Sequence, residues 1–273
     1  MPAIITAIAI SMKDAVVNFG PPFAAGLLIM ALFRLVFTPG VAAVALAAGR
    51  GMPILAGVAG MLGTVPSEQG SARRVAGLAE FVAPLPAILL TAVLAPAAAG
   101  ARFLIAMIVS VVLARAALSS ANAIAWPVDQ PDGQGLWRRA TGAVGTLIDR
   151  YANAMMMAAA VAGIIGYAIP DGLVSAWLGS AHWYSPMAGI LLGAVIPAGG
   201  GAEVIVAATL FAKGAGPAAI LALIVAAPLV NVWALRRLAP NLSRGRLAAL
   251  ATGAGGLALI LSVTASVLPG MHI

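Results

Sequence analysis

Long apolar runs, interrupted by proline, glycine or charge, make up most of the chain. One run extends from Phe19 to Phe37 and closes at Thr38-Pro39; a short piece, Val41 to Ala48, ends at Arg50. Next come Pro53 to Val65, the polar break Pro66-Ser67-Glu68-Gln69-Gly70, and an apolar run through Val82. Segments near Leu85 to Ala98 and Phe103 to Leu118 complete a first half. The order then recurs. Ala152 to Ile169 stops at Pro170, and Leu173 to Leu178 and Met187 to Ile196 lead to a second break, Pro197 to Glu203. Val204 to Ala212, Ala218 to Leu235 and Leu247 to Leu268 follow. Pro39 and Pro170, Pro66 and Pro197, Gly70 and Gly201, and Pro86 and Pro217 all stand at one and the same offset along the chain. Breakers held in one register across the same sequence of long, short and broken segments point to an internal duplication.

Several runs approach the roughly 20 apolar residues that cross a hydrocarbon core. The runs beside each break are shorter, about 10 to 14 residues, or roughly 15 to 21 Å of helix. Each is either half of one broken spanning helix or one leg of a hairpin that enters and leaves on the same side. Basic residues favour cytoplasmic loops. The loop with Arg236, Arg237, Arg244 and Arg246 and the linker with Arg138, Arg139 and Arg150 then share a face only if 187–212 is a hairpin. The same rule puts Arg34 and Arg50 inside and Arg102 outside, which inverts one half relative to the other.

The expected fold is therefore an all-α polytopic membrane protein of two inverted repeats. Each repeat has about three spanning helices and a re-entrant helical hairpin. Residues 1–118 form the first repeat, 119–150 a polar linker with an interfacial helix, and 151–273 the second repeat. Residues 3–16 are expected as a separate short helix along the interface, with no cleavable signal peptide, because Lys13 follows the apolar run.

Composition strengthens the membrane reading. Hydrophobic residues make up 62% of the chain and charged residues 8%. That is too little charge to cover a soluble domain. The formal charge of +7 comes from basic residues scattered between apolar runs, which excludes a nucleic-acid surface. No cysteine is present, so disulfides and thiolate sites are excluded. A GxxxxGK[ST] loop and an HExxH motif are absent, and His182 and His272 stand apart. No catalytic residue, metal site or cofactor is expected. His182-Trp183-Tyr184 suits an interfacial anchor.

Candidate chemistry gathers at the two breaks. Irregular backbone at membrane depth needs protein or water around it. Gly199, Gly200 and Gly201 allow positive φ and close approach, either to a solute or between two helices. Glu68 and Glu203 are two of eight acids and fall in or beside the matched breaks. A carboxylate in such surroundings suits proton coupling or cation binding. The alternative is structural, with Glu68 bonded to Arg73 or Arg74 and Glu203 capping the helix from Val204. Arg73 and Arg74 have no counterpart in the second half, which suggests an anionic substrate or partners for Glu68 and Glu80. Gln69, Gly70, Pro197 and Asn231 complete the candidate set, Asn231 following Pro228 at another expected break. Lys213 is expected as a surface charge at the hairpin's exit.

Three features of Leu192 to Asn231 occur together: the Pro197–Glu203 break, the Leu210–Gly214 turn and the Pro228–Asn231 step. This stretch resembles the predicted-permease family that includes the organoarsenical efflux permeases. The resemblance implies a small-solute permease with sites at the paired breaks. Members that move trivalent arsenicals carry cysteines near the first break, so thiolate transport of soft metalloids is not implied here. The expected function is a secondary transporter in a prokaryotic inner membrane, moving a small polar or anionic, metalloid-like solute. Glu203 and Glu68 are its candidate proton-coupling groups. A passive channel and a non-transporting scaffold or lipid-handling subunit are the alternatives. The expected partners are the solute, the lipid bilayer and further copies of the chain.

Overall fold

The computed structural model describes residues 2–36, 53–63, 79–80, 82–116, 135–238 and 243–267. Every regular element among them is an α-helix. The first half holds α1 (Pro2–Val36), α2 (Pro53–Met61), α3 (Leu85–Leu94) and α4 (Pro96–Ala116). The second holds α5 (Leu136–Ala168), α6 (Asp171–Leu178), α7 (Ser185–Val195) and α8 (Ala202–Ala212). It closes with α9 (Pro217–Val230), α10 (Val232–Leu238) and α11 (Arg244–Val267). Three stretches, Ala3–Leu35, Trp137–Ala168 and Arg244–Thr264, are long and apolar enough to cross a membrane.

Proline sets many of the boundaries. It disfavours helical backbone at the preceding residue, and is tolerated in the first turn that follows. Ala95, Ile169, Ile196 and Gly216 are extended, and each precedes a proline. α9 is apolar all round, and every residue from Ala219 to Leu229 is buried, which makes it the central helix of the second half.

The long helices depart from expectation. Residues 3–16 are not a separate interfacial helix but the first part of α1, which continues through Pro21 and Pro22. Residues 136–150 likewise run on without a break into the apolar part of α5. The cause is mutual support along an antiparallel pair. Ser11 Oγ donates to the Ala159 carbonyl at 3.3 Å, and Gly163 packs against the backbone of Ile8. At the other end Leu27, Met30 and Ala31 pack with Leu147 and Tyr151. The apolar run from Ala218 to Leu235 goes the other way: it breaks at Asn231.

Helices α7 and α9 run parallel, Gly189 lying against Ala219 and Gly193 against Ala227. A glycine every fourth residue gives α7 a flat face for this contact. Between them the chain reverses. The Gly216 N–H donates to the Leu178 carbonyl at 2.6 Å, and Lys213 Nζ reaches the Ile169 carbonyl at 2.8 Å and Asp171 at 2.6 Å. The end of α8 therefore returns to the level where α7 began. Lys213, expected as a surface charge, ties that end to the start of α6.

Candidate functional site

The turn between α7 and α8 is built by three consecutive left-handed glycines: Gly199 at φ 128°, Gly200 at φ 64° and Gly201 at φ 97°. An L side chain is strained in this region of φ. Two of the three also lack room. A Cβ on Gly200 would stand 2.6 Å from the Tyr151 ring of α5, and one on Gly201 would stand 2.8 Å from Cα of Ala87 in α3. A Cβ on Gly199 meets nothing within 4 Å. The tip is thus wedged between an α5 side chain and α3 backbone, with open space at Gly199. Helix-to-helix approach accounts for Gly200 and Gly201.

Glu203 lies in the first turn of α8 and is fully buried. Its Oε2 accepts the Gly199 N–H at 3.1 Å, closing the tip on itself. Its Oε1 accepts from Nη2 of Arg102, a residue of α4 that is itself 2% exposed. Arg102 also donates to Thr91 Oγ1 at 3.0 Å and to the Val82 carbonyl at 3.4 Å. Arg102, read from the sequence only as a marker of the external face, is buried in the protein, where a carboxylate and two further acceptors sustain its guanidinium. The Asn231 side chain donates to the Gly193 carbonyl at 3.1 Å and to that of Ile196, two carbonyls at the end of α7. Its Oδ1 accepts the Trp233 N–H at 2.9 Å, capping α10. The break at Asn231 thereby holds the approach to the tip. Pro197 is half-buried in the same turn.

Glu68, Gln69, Gly70, Arg73 and Arg74 lie outside the described residues. A second charged cluster joins Glu80, whose expected partners are Arg73 and Arg74, to two arginines that the sequence marks only for topology. Oε1 of Glu80, just before α3, accepts from Arg34 Nη2 at 2.9 Å and from Arg150 Nη1. Arg34 Nε also donates to the Gly63 carbonyl at 2.8 Å. Glu203 of α8 thus pairs with Arg102 of α4, and Glu80 with Arg34 of α1 and Arg150 of α5. A signal existed for Arg102, which is the only charge between Pro84 and Leu113. A lone charge in so long an apolar run needs an internal partner. Among the described residues no group of three His, Cys, Asp or Glu side chains could hold a metal ion. Comparison with protein families, curated proteins and solved structures finds no match to this chain.

Proposed function

We propose that the chain is a multi-pass permease of a cell inner membrane, a secondary transporter that moves a small polar or anionic solute. The observation that carries this is the glycine tip: irregular backbone among buried helices, held by a buried ion pair between the two halves. Such backbone is tolerated at depth where it is enclosed by protein or lines a solute path, and the space at Gly199 suits the second role.

The element order supports an inverted duplication. Shifted by the offset that carries Pro66 onto Pro197, α1 would cover 133–167 against α5 at Leu136–Ala168, and α2 would cover 184–192 against α7 at Ser185–Val195. Likewise α3 would cover 216–225 against α9 at Pro217–Val230. The antiparallel course of α1 and α5 is what inversion requires, and the reversal at 196–201 suits a re-entrant hairpin. The resemblance of Leu192–Asn231 to the permease family noted above points the same way.

The test is flux into liposomes holding the purified protein alone, with small oxyanions and metalloids offered singly. Saturable uptake that follows a second ion's gradient is expected. No flux for any solute, or flux indifferent to every gradient, would sink the proposal. Topology is checked separately by Ser180→Cys and Ser243→Cys, both sites being exposed in a chain without cysteine. The two are expected to label from opposite faces; labelling from one face would remove the hairpin.

A lipid-handling role is favoured by one different feature. An open groove of 760 Å³ runs between α1, α5 and α8, apolar except for a few side chains such as Asp14, Asn18 and Thr209. Lipid exchange between vesicles, with no solute flux, would select that role.

A further inference from the structure

We propose that Arg34, Arg150 and Glu80 form a site at which a small, singly charged oxyanion and a proton bind together. This rests on the transport function proposed above, and names its substrate class and its coupling group.

The geometry at Glu80 is lopsided. Both guanidiniums, one from α1 and one from α5, donate to Oε1, while Oε2 is buried and accepts no hydrogen bond from the described residues. A carboxylate has about four acceptor sites over its two oxygens, and purely structural pairing would share two guanidiniums between them. Glu203 shows the shared arrangement, one oxygen on Arg102 and the other on the Gly199 N–H. Glu80 keeps one oxygen bare among the described residues, which is where a proton can add.

Exposure is graded in the same sense. The Glu80 side chain is 1% exposed, while those of Arg34 and Arg150 are 16% and 12% exposed. The guanidiniums form a rim over a carboxylate floor. Two guanidiniums converging from separate helices match the oxygens of a carboxylate or sulfonate anion. Among the described residues, Arg34 of α1 and Arg150 and Tyr151 of α5 are the charged and titratable groups facing Glu80.

The loading step balances. A proton from water bonds to Oε2 and makes Glu80 neutral. The N–H groups of Arg34 and Arg150 then leave Oε1 for two oxygens of the anion. The three side chains carry a net +1 beforehand; with the proton and the anion added the sum is again +1. One anion and one proton are therefore taken up with no change of charge at the site, and release is the reverse. Because Arg34 belongs to the first half and Arg150 to the second, a movement of one half against the other opens the rim.

The probe is methanesulfonate, an oxyanion that stays charged at every pH used. Its affinity for the full chain purified in detergent is read from the rise of the thermal midpoint. Linkage of one proton to one anion predicts that affinity weakens as pH rises, by about tenfold per pH unit wherever loading takes up a full proton. Glu80→Gln is expected to bind with no such slope. Arg34→Gln and Arg150→Gln are each expected to weaken binding at least about tenfold. In liposomes, uptake by the unaltered protein carries protons that a trapped pH dye reports, and Glu80→Gln takes up the anion without them. A flat affinity in the unaltered protein overturns the proposal and needs no variant to fold. So does a slope that survives in folded Glu80→Gln. Sloped binding without flux into liposomes leaves this site standing and removes the transport function instead.

Discussion

Arg102→Met is expected to lower stability by about 3–5 kcal/mol, the cost of leaving a buried charge without its partner. Glu203 is fully buried, and Arg102 supplies the only cation bonded to it among the described residues. With Arg102 gone, the carboxylate keeps the Gly199 N–H and loses its counter-charge. Thr91 Oγ1 still donates to the Ala87 carbonyl at 2.7 Å, so the damage centres on Glu203. Arg102→Met with Glu203→Leu together should recover most of the loss, because apolar groups of like volume often replace a buried pair at little cost. The thermal midpoint in detergent reports both variants. A single variant within about 1 kcal/mol of the unaltered protein would mean that the pair is solvated, as surface pairs are. The double variant separates fold from function, since it restores the join between halves without the charges.

Much of the helical layout was legible because proline acts locally. Its effect on the preceding residue needs no tertiary contact, so the breaks before Pro170, Pro197 and Pro217 follow from sequence, whereas the segment expected over Leu85 to Ala98 breaks at Ala95. Pro21 and Pro22 show the limit of a local rule. They remove the N–H groups that would meet the carbonyls of Val17 and Asn18, inside a helix that is continuous. Yet neighbouring α5 supports α1 on both sides of the gap. That support is a long-range contact with no local trace. The same division holds at the tip. Three glycines in a row announce positive φ, whereas the reason two of them cannot be anything else lies in Ala87 and Tyr151, far away in the chain. Charges were the least legible. The rule that places basic residues in cytoplasmic loops takes no account of arginines paired inside. Arg102, Arg34 and Arg150 are all so paired. Asn231 was singled out for its place after Pro228, but its task of holding the end of α7 depends on a fold contact.

The glycine series at the tip carries the second large effect. Gly201→Ala is expected to cost roughly 2–5 kcal/mol, from left-handed strain and from overpacking together. Its Cβ would lie 2.8 Å from the Cα of Ala87, which is backbone and cannot turn aside. Gly200→Ala meets the Tyr151 ring at 2.6 Å and the Tyr151 Cβ at 3.0 Å, the root of a buried side chain, and should cost nearly as much. Gly199→Ala has open space. It should cost only the strain of its backbone, roughly 1–3 kcal/mol. Thermal midpoints in that order are expected, Gly201→Ala lowest. Equal midpoints for all three would show that α3 does not press on the tip. Flux should rank them differently. Where Gly199 lines the solute path, a methyl there narrows it, and Gly199→Ala should lose more uptake than its stability accounts for. If its uptake instead tracks its midpoint on the same line as the other two, the open space at Gly199 is not part of the path.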